Sequence, residues 1–314
     1  MLTAIMYHYI KDFSTTKYPK IKGMDIKEFI NQVNFIKSHY NVVSIEDIVD
    51  CIYDEKPLPP NSAIFTFDDG YIDHYENVYP ILKKNNIRGA FYVSIETLKE
   101  NTILDVNKIH YTLATGDVKQ IYNRLCFYVD KYKQEYNLLD LAAYKKTYEQ
   151  LNRWDTKEVI FIKRMLQKVL PYNLRKKICL SLLEENFTSK NMTDLSKEIY
   201  MNIDQLLEMQ KNGMHISSHT YTHQWLDTLS FKQQEKEILE SFDYLETIGI
   251  NPKYKTLCYP YGAYNQNTLD ILEKNDIKLA WTVGDRITQV SYVNRYTLTR
   301  IDCNDVGRNV YDKV

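Results

Sequence analysis

Two adjacent carboxylates, Asp68 and Asp69, stand in the stretch FTFDDGY at residues 65–71. The run before them, Ala63-Ile64-Phe65-Thr66-Phe67, is apolar and β-prone, so the pair is expected at the end of a buried strand. Residues 217–223 read SSHTYTH and follow a second short strand pattern, His215–Ser218. His219 and His223, with three residues between them, can reach one metal ion from a helical turn or a tight loop. If the two strands are parallel neighbours, their C-terminal ends share one rim, and both pairs face one pocket. One carboxylate and two neutral imidazoles make a three-ligand site with a position left open. The other carboxylate can then take the proton of a bound water, and a nearby cation offsets the repulsion between the two acids. The residues alone leave open which aspartate does which.

Two further stretches sit at strand ends. Leu257-Cys258-Tyr259-Pro260-Tyr261-Gly262 is a turn that can aim a backbone N–H into the site as an oxyanion donor. Met6-Tyr7-His8-Tyr9 offers His8 as the acid that protonates a leaving nitrogen, because histidine titrates near neutrality. Each stretch by itself is an ordinary loop feature. Of the remaining histidines, His39 and His110 fall in helical patterns and read as structural, and His74, close after the aspartates, reads as a surface residue, with lining of the pocket the alternative.

The elements that must position these groups alternate along the chain. Short runs at Leu2–Met6, Ala63–Phe67, Gly89–Val93, His215–Ser218, Thr256–Tyr259, Leu279–Val283 and Leu298–Ile301 read as strands. Helices are predicted from a capping box at Asp25 and Glu28 to Ser38, from Tyr75 to Asn86, from Ser230 with Gln233 to Gly249, and from Asn265 to Asn275. This α/β alternation implies a parallel sheet, open or closed into a barrel. From Leu98 to Ile199 strand patterns are missing and helical ones dominate. The expected organisation is therefore a barrel from residues 1–97 and 200–314, with a helical insertion at 98–199.

Composition narrows the partners. The 314 residues carry 40 basic and 41 acidic side chains, a net charge of -1, which gives no reason to expect nucleic acid. Five scattered cysteines form no CxxC pair and suit a reducing compartment. The N-terminal MLTAIMYHYIKDF reads as no signal peptide, and no apolar run spans a membrane, so a cytoplasmic location is expected.

Thr66-Phe67-Asp68-Asp69-Gly70, Ser218-His219-Thr220-Tyr221-Thr222-His223 and Tyr259-Pro260-Tyr261-Gly262, in this order, resemble the polysaccharide deacetylase family of carbohydrate esterases with NodB homology. The resemblance covers roughly residues 1–97 and 200–302. It implies a distorted (β/α) barrel of about seven parallel strands, a divalent metal, usually zinc, and hydrolysis of an N-acetyl group from an amino sugar with release of acetate. Carried over, Asp68 is the catalytic base, Asp69, His219 and His223 are the metal ligands, and the Tyr261 N–H stabilises the oxyanion.

The chain departs from the family in two places. Cys258 stands where many members have an arginine that orients the base, and Arg300 is the candidate to replace it. Many members also end in Leu-x-His, with that histidine as the acid, whereas this chain reads Leu298-Thr299-Arg300. Met6-Tyr7-His8 resembles the N-terminal YH motif of the branch that deacetylates poly-N-acetylglucosamine, which supports His8 as the acid. Tyr71, Tyr221, Trp225 and Trp281 are expected to stack on sugar, with Pro260 and Arg300 also on the substrate side. The substrate is expected to be nucleotide-linked, lipid-linked or an oligosaccharide, and the insertion to shape its access or mediate homo-oligomerisation. A different metal-dependent amide hydrolase, such as a deformylase, and a catalytically silent carbohydrate-binding protein are the competing readings.

Overall fold

Leu2–Tyr7 and Ser62–Phe67 are buried at every position. Unbroken burial, in place of alternation, marks strands covered on both faces, as in a parallel sheet wrapped by helices. In the computed structural model, which describes residues 1–151, 155–187 and 191–306, these runs are β1 and β2. The barrel continues with β3 (Ala90–Val93), β4 (His215–Ser218), β5 (Thr256–Cys258), β6 (Leu279–Val283) and β7 (Leu298–Asp302). Their order around the ring is β1-β7-β6-β5-β4-β3-β2, and β2 pairs back onto β1 to close it. All of these pairings are parallel. The fold is thus the closed (β/α) barrel that the resemblance implies. A two-residue strand, Asn41–Val42, pairs in parallel with the start of β2, at Ser62 and Ala63.

Register decides what shares a rim. Tyr7 lies opposite Phe67, and Val93 opposite Ser218. The residues that follow β1, β2 and β4, namely His8, Asp68 and His219, therefore leave the barrel at the same end. Both faces of the strands carry large, fully buried side chains: Phe65 and Phe91 pack with Phe29, Val33 and Ile36 of the helix Ile26–His39, whereas Trp281 clusters with Tyr92, Ile64 and Ala4. Each such ring contributes about 1.5–3 kcal/mol through burial.

The helices follow the expected caps with two differences. Ser230 and Gln233 form the reciprocal box that opens Phe231–Thr247. Asp25 caps Ile26–His39 through Lys27 N, without a return bond from Glu28; its second oxygen accepts from Phe13 N at 3.4 Å. The single helix expected over 75–86 is divided into a π-helical turn, His74–Val78, and an α-helix, Tyr79–Lys84. Pro80 lacks the N–H that would bond to Glu76, and the chain widens there, with Tyr79 N reaching His74 O.

The chain forms two compact units. One holds the barrel: Met1–Phe13, Gly23–Thr102 and the described residues from Ser196 onward. The other combines Ser14–Lys22 with Ile103–Leu195. Its described residues contain helices and no strand, packed on a core of their own that includes Leu125, Phe161, Leu174 and Ile178. No helix among the described residues is long and apolar enough to cross a membrane.

Candidate active site

The adjacent aspartates are turned apart by the backbone. Asp68 N donates to Tyr7 O at 3.0 Å, so Asp68 still belongs to the barrel ladder. Asp69 and Gly70 then take φ of +73° and +70°. Aspartate tolerates the left-handed region better than most residues, and glycine adopts it freely. A Cβ at residue 70 would lie 2.9 Å from Val93 Cγ1. The two carboxylates consequently meet different neighbours. Asp68 receives both ends of the Arg300 guanidinium, Nη1 at 2.7 Å and Nη2 at 2.6 Å. Burial alone would raise its carboxyl, but the Arg300 charge prevails and holds it at about 2.

Asp69 has a different environment. Its Oδ2 accepts from the Tyr71 hydroxyl at 2.5 Å. Its Oδ1 is buried without a hydrogen-bond partner, facing His223 Nε2 at 3.2 Å and His219 Nε2 at 3.5 Å. His219 Nδ1 lies 2.8 Å from the Cys258 carbonyl, which can only accept, so Nδ1 carries the proton and Nε2 presents a lone pair. Burial holds His219 down to about 4, so the ring is neutral at ordinary pH. Burial would raise Asp69 as well, yet the imidazoles, His223 foremost, keep it well below the usual carboxylate range. A lone pair and an ionised oxygen thus face each other across a short, buried gap. That arrangement is repulsive unless a cation lies between them. One carboxylate oxygen and two imidazole nitrogens, all within 4.8 Å of one another, are a donor set that fits a divalent ion.

Asp68, His219 and Cys258 form a second trio at similar spacing. It is the weaker candidate. Arg300 already neutralises Asp68, and burial pushes the Cys258 thiol far up, so sulfur keeps its proton. His219 also has one available nitrogen, and that nitrogen faces Asp69.

The polysaccharide deacetylase family model matches residues 55–126 and 178–280, which include both the aspartate turn and the histidine loop. The chain belongs to the polysaccharide deacetylase family. YxkH of Bacillus subtilis, which carries the polysaccharide deacetylase name, is 27% identical over 93 residues, 29% of this chain and 31% of that protein. The poly-beta-1,6-N-acetyl-D-glucosamine N-deacetylase of Escherichia coli K12 is 32% identical over 82 residues, 26% of this chain and 12% of that protein. The match therefore spans less than a third of either relative's length. Among solved structures, the deacetylase PplD of Streptococcus pyogenes, in complex with acetate, aligns over 96% of this chain and 91% of its own, with a TM-score of 0.57 and 19% identity. IcaB of Ammonifex degensii aligns over 97% and 93%, with a TM-score of 0.55 and 15% identity. At these identities the likeness is one of fold.

The other residues singled out in this chain divide into those at the rim and those beneath it. His8 is at the rim, its side chain 43% exposed and its Nε2 4.0 Å from Asp68 Oδ2. Tyr261 has φ of +59° and sets its ring edge-on to His223, with centroids 4.9 Å apart. Trp225 stacks flat on Tyr261, at 4.3 Å and 7°. Pro260 is buried within the same turn.

Tyr71 and Trp281 depart from the expected sugar-stacking role. Tyr71 is 1% exposed and spends its hydroxyl on Asp69, while Trp281 is 0% exposed and donates Nε1 to Tyr92 Oη at 2.6 Å. Neither ring is open to a sugar, because both point into the core. Tyr221 is half-buried and turns its hydroxyl to Glu100 at 3.4 Å. Arg300 is fully buried on Asp68, with Thr66 Oγ1 accepting from it at 3.1 Å, so it serves the carboxylate and is closed to substrate.

His74, expected at the surface, is fully buried, and burial lowers it to about 4. Its Nε2 donates to the His8 carbonyl at 2.9 Å and so holds the backbone of the rim histidine. Position six after Asp68 was the only signal for it. Glu237, which hydrogen-bonds the loop between His219 and His223, has no motif signal at all.

Proposed function

We propose that this chain is a metal-dependent hydrolase that removes the N-acetyl group of an amino sugar, in a surface-glycan precursor or polysaccharide, and releases acetate. The observation that carries the reading is the unpartnered Asp69 Oδ1 between two imidazole nitrogens, beside a second carboxylate clamped by arginine. The E. coli relative, named for an N-acetylglucosamine polymer, supports the substrate class.

Asp69, His219 and His223 would hold the ion, with zinc the first choice for two imidazoles and a carboxylate. A bound divalent cation supplies Lewis-acid polarisation of the acetamide carbonyl and a lowered pKa for an attacking water. Asp68, held at about 2, is ionised at any working pH and receives the proton of that water. The water oxygen bonds to the acetamide carbon, the C–N bond breaks, and acetate and a free amine result. His8, exposed at the rim, delivers a proton to the departing nitrogen. The Tyr261 N–H donates to the developing oxyanion. Trp225, stacked on Tyr261 next to His223, offers an aromatic edge to the sugar ring.

The test is acetate release by zinc-loaded protein from N-acetylated glucosamine oligomers and from nucleotide- and lipid-linked N-acetyl sugars. Asp68→Asn is expected to retain zinc and lose turnover by about 10²–10⁴-fold. His223→Ala is expected to lose zinc affinity as well as turnover. Full activity in either variant contradicts the assignment.

A further inference from the structure

His219 and His223 are held by a loop that the backbone does not favour. Thr220 and His223 have φ of +65° and +59°, and neither is a glycine. A β-branched residue such as threonine is rarely found there. Something outside the loop must hold it in this shape.

The helix Phe231–Thr247 packs beside this loop, with Gln234, Ile238, Ser241 and Phe242 on its buried face. Glu237 lies on the same face at 8% exposure. A carboxylate this deeply buried must be paired or hydrogen-bonded, and no salt bridge is recorded for it among the described residues. Its oxygens instead accept from the loop. Oε2 takes Tyr221 N at 3.1 Å and Thr222 N at 2.8 Å, and Oε1 takes Thr222 Oγ1 at 2.6 Å and Gln224 Nε2 at 3.5 Å. Every one of these donors lies between His219 and the residue after His223. One turn further on, Ser241 Oγ meets Ser218 Oγ at 2.5 Å, and Ser218 Oγ accepts from Thr220 N at 3.0 Å. One helix face thus grips the loop just before the first histidine and again between the two.

We infer that Glu237 is a positioning residue for the metal-ligand loop: its buried carboxylate sets the turn that brings His223 to Asp69, and so sets the affinity for the ion. The inference rests on the metal-site reading above. Groups that orient metal ligands typically govern affinity by 10–100-fold.

The experiment titrates the metal-free full-length chain with Co²⁺, followed by its visible absorption, and with Zn²⁺ in competition, alongside circular dichroism and thermal unfolding. Glu237→Gln is expected to bind both ions about 10–100-fold more weakly, with a displaced Co²⁺ band and an unchanged helical spectrum. Thr222→Val, a milder change that removes only the hydroxyl's bonds to Glu237 and from Gln224 and keeps the bond from Thr222 N, is expected to weaken binding by a smaller factor and covers the case in which Glu237→Gln does not fold. Gln234→Ala, on the same buried face but bonded to Leu229 and Thr268, is expected to lower the unfolding temperature and leave affinity alone. Unchanged affinity in Glu237→Gln and Thr222→Val, or an equal loss in Gln234→Ala, overturns the inference. His223→Ala binding both ions like the wild type overturns the metal-site reading itself.

Discussion

Arg300 reaches Asp68 from 232 positions away in the chain and also lies 2.8 Å from Cys258 Sγ. The guanidinium is planar and always charged, so it both fixes the carboxylate and compensates its burial. Arg300→Met leaves that carboxylate buried and unpaired. We expect a loss of about 3–5 kcal/mol of stability, read by urea unfolding. The same variant frees the burial effect to raise the Asp68 carboxyl, so the acid limb of the kcat/KM profile should move to higher pH. An unmoved limb would remove Arg300 from the control of Asp68. The residue types of this cluster were legible in the chain, including the replacement of an expected arginine by Cys258. That the strand β7 would return a guanidinium to the same carboxylate was only a candidate there, because the direction of a side chain depends on register across the barrel.

Among the elements, the turn after β2 does most to separate the two acids. Gly70 has φ of +70° and Val93 Cγ1 in the space a Cβ would take. Gly70→Ala meets both obstacles. Its cost should be about 1–3 kcal/mol, measured by chemical denaturation, and zinc affinity should fall because Asp69 shifts with the turn. A substitution that leaves both unchanged would show that the turn has slack. Strand positions were legible to within one residue because each is a short apolar run between polar clusters, as at Ser62–Phe67. The divided helix after the turn was not, although Pro80 was visible. A proline can end, kink or widen a helix, and packing around His74 selects among these.

At the scale of the whole molecule, buried histidines couple stability to pH. His74, His215 and His219 are each held down to about 4 by burial, against about 6.5 in the unfolded chain. Between those values the unfolded chain binds protons that the native one refuses, so stability rises with pH across the window. It is complete above about 6.5, falls as pH drops toward about 4, and levels off below. Asp68 adds a loss in the same direction at lower pH, between its unfolded value near 3.8 and its folded value of about 2. The unfolding temperature of chelator-treated protein should therefore fall steeply from pH 6.5 to 4, by the equivalent of several kcal/mol. His215→Gln, at the opposite end of β4 from the ligand His219 and hydrogen-bonded to Thr256, should flatten the slope. A midpoint constant across this range would count against neutral buried histidines.

The chain by itself determined the alternation of strands and helices, because apolar runs must be buried and their period shows how. It also determined the chemical inventory: two carboxylates at one strand end, two imidazoles at another, and a proline–glycine turn at a third. Only the tertiary structure decided who meets whom. It put Tyr71 and Trp281 inside the core, turned His74 inward to hold His8, and brought Glu237 beneath the histidine loop. These outcomes depend on left-handed turns, barrel register and the facing of a helix, each set by contacts between residues far apart in the chain.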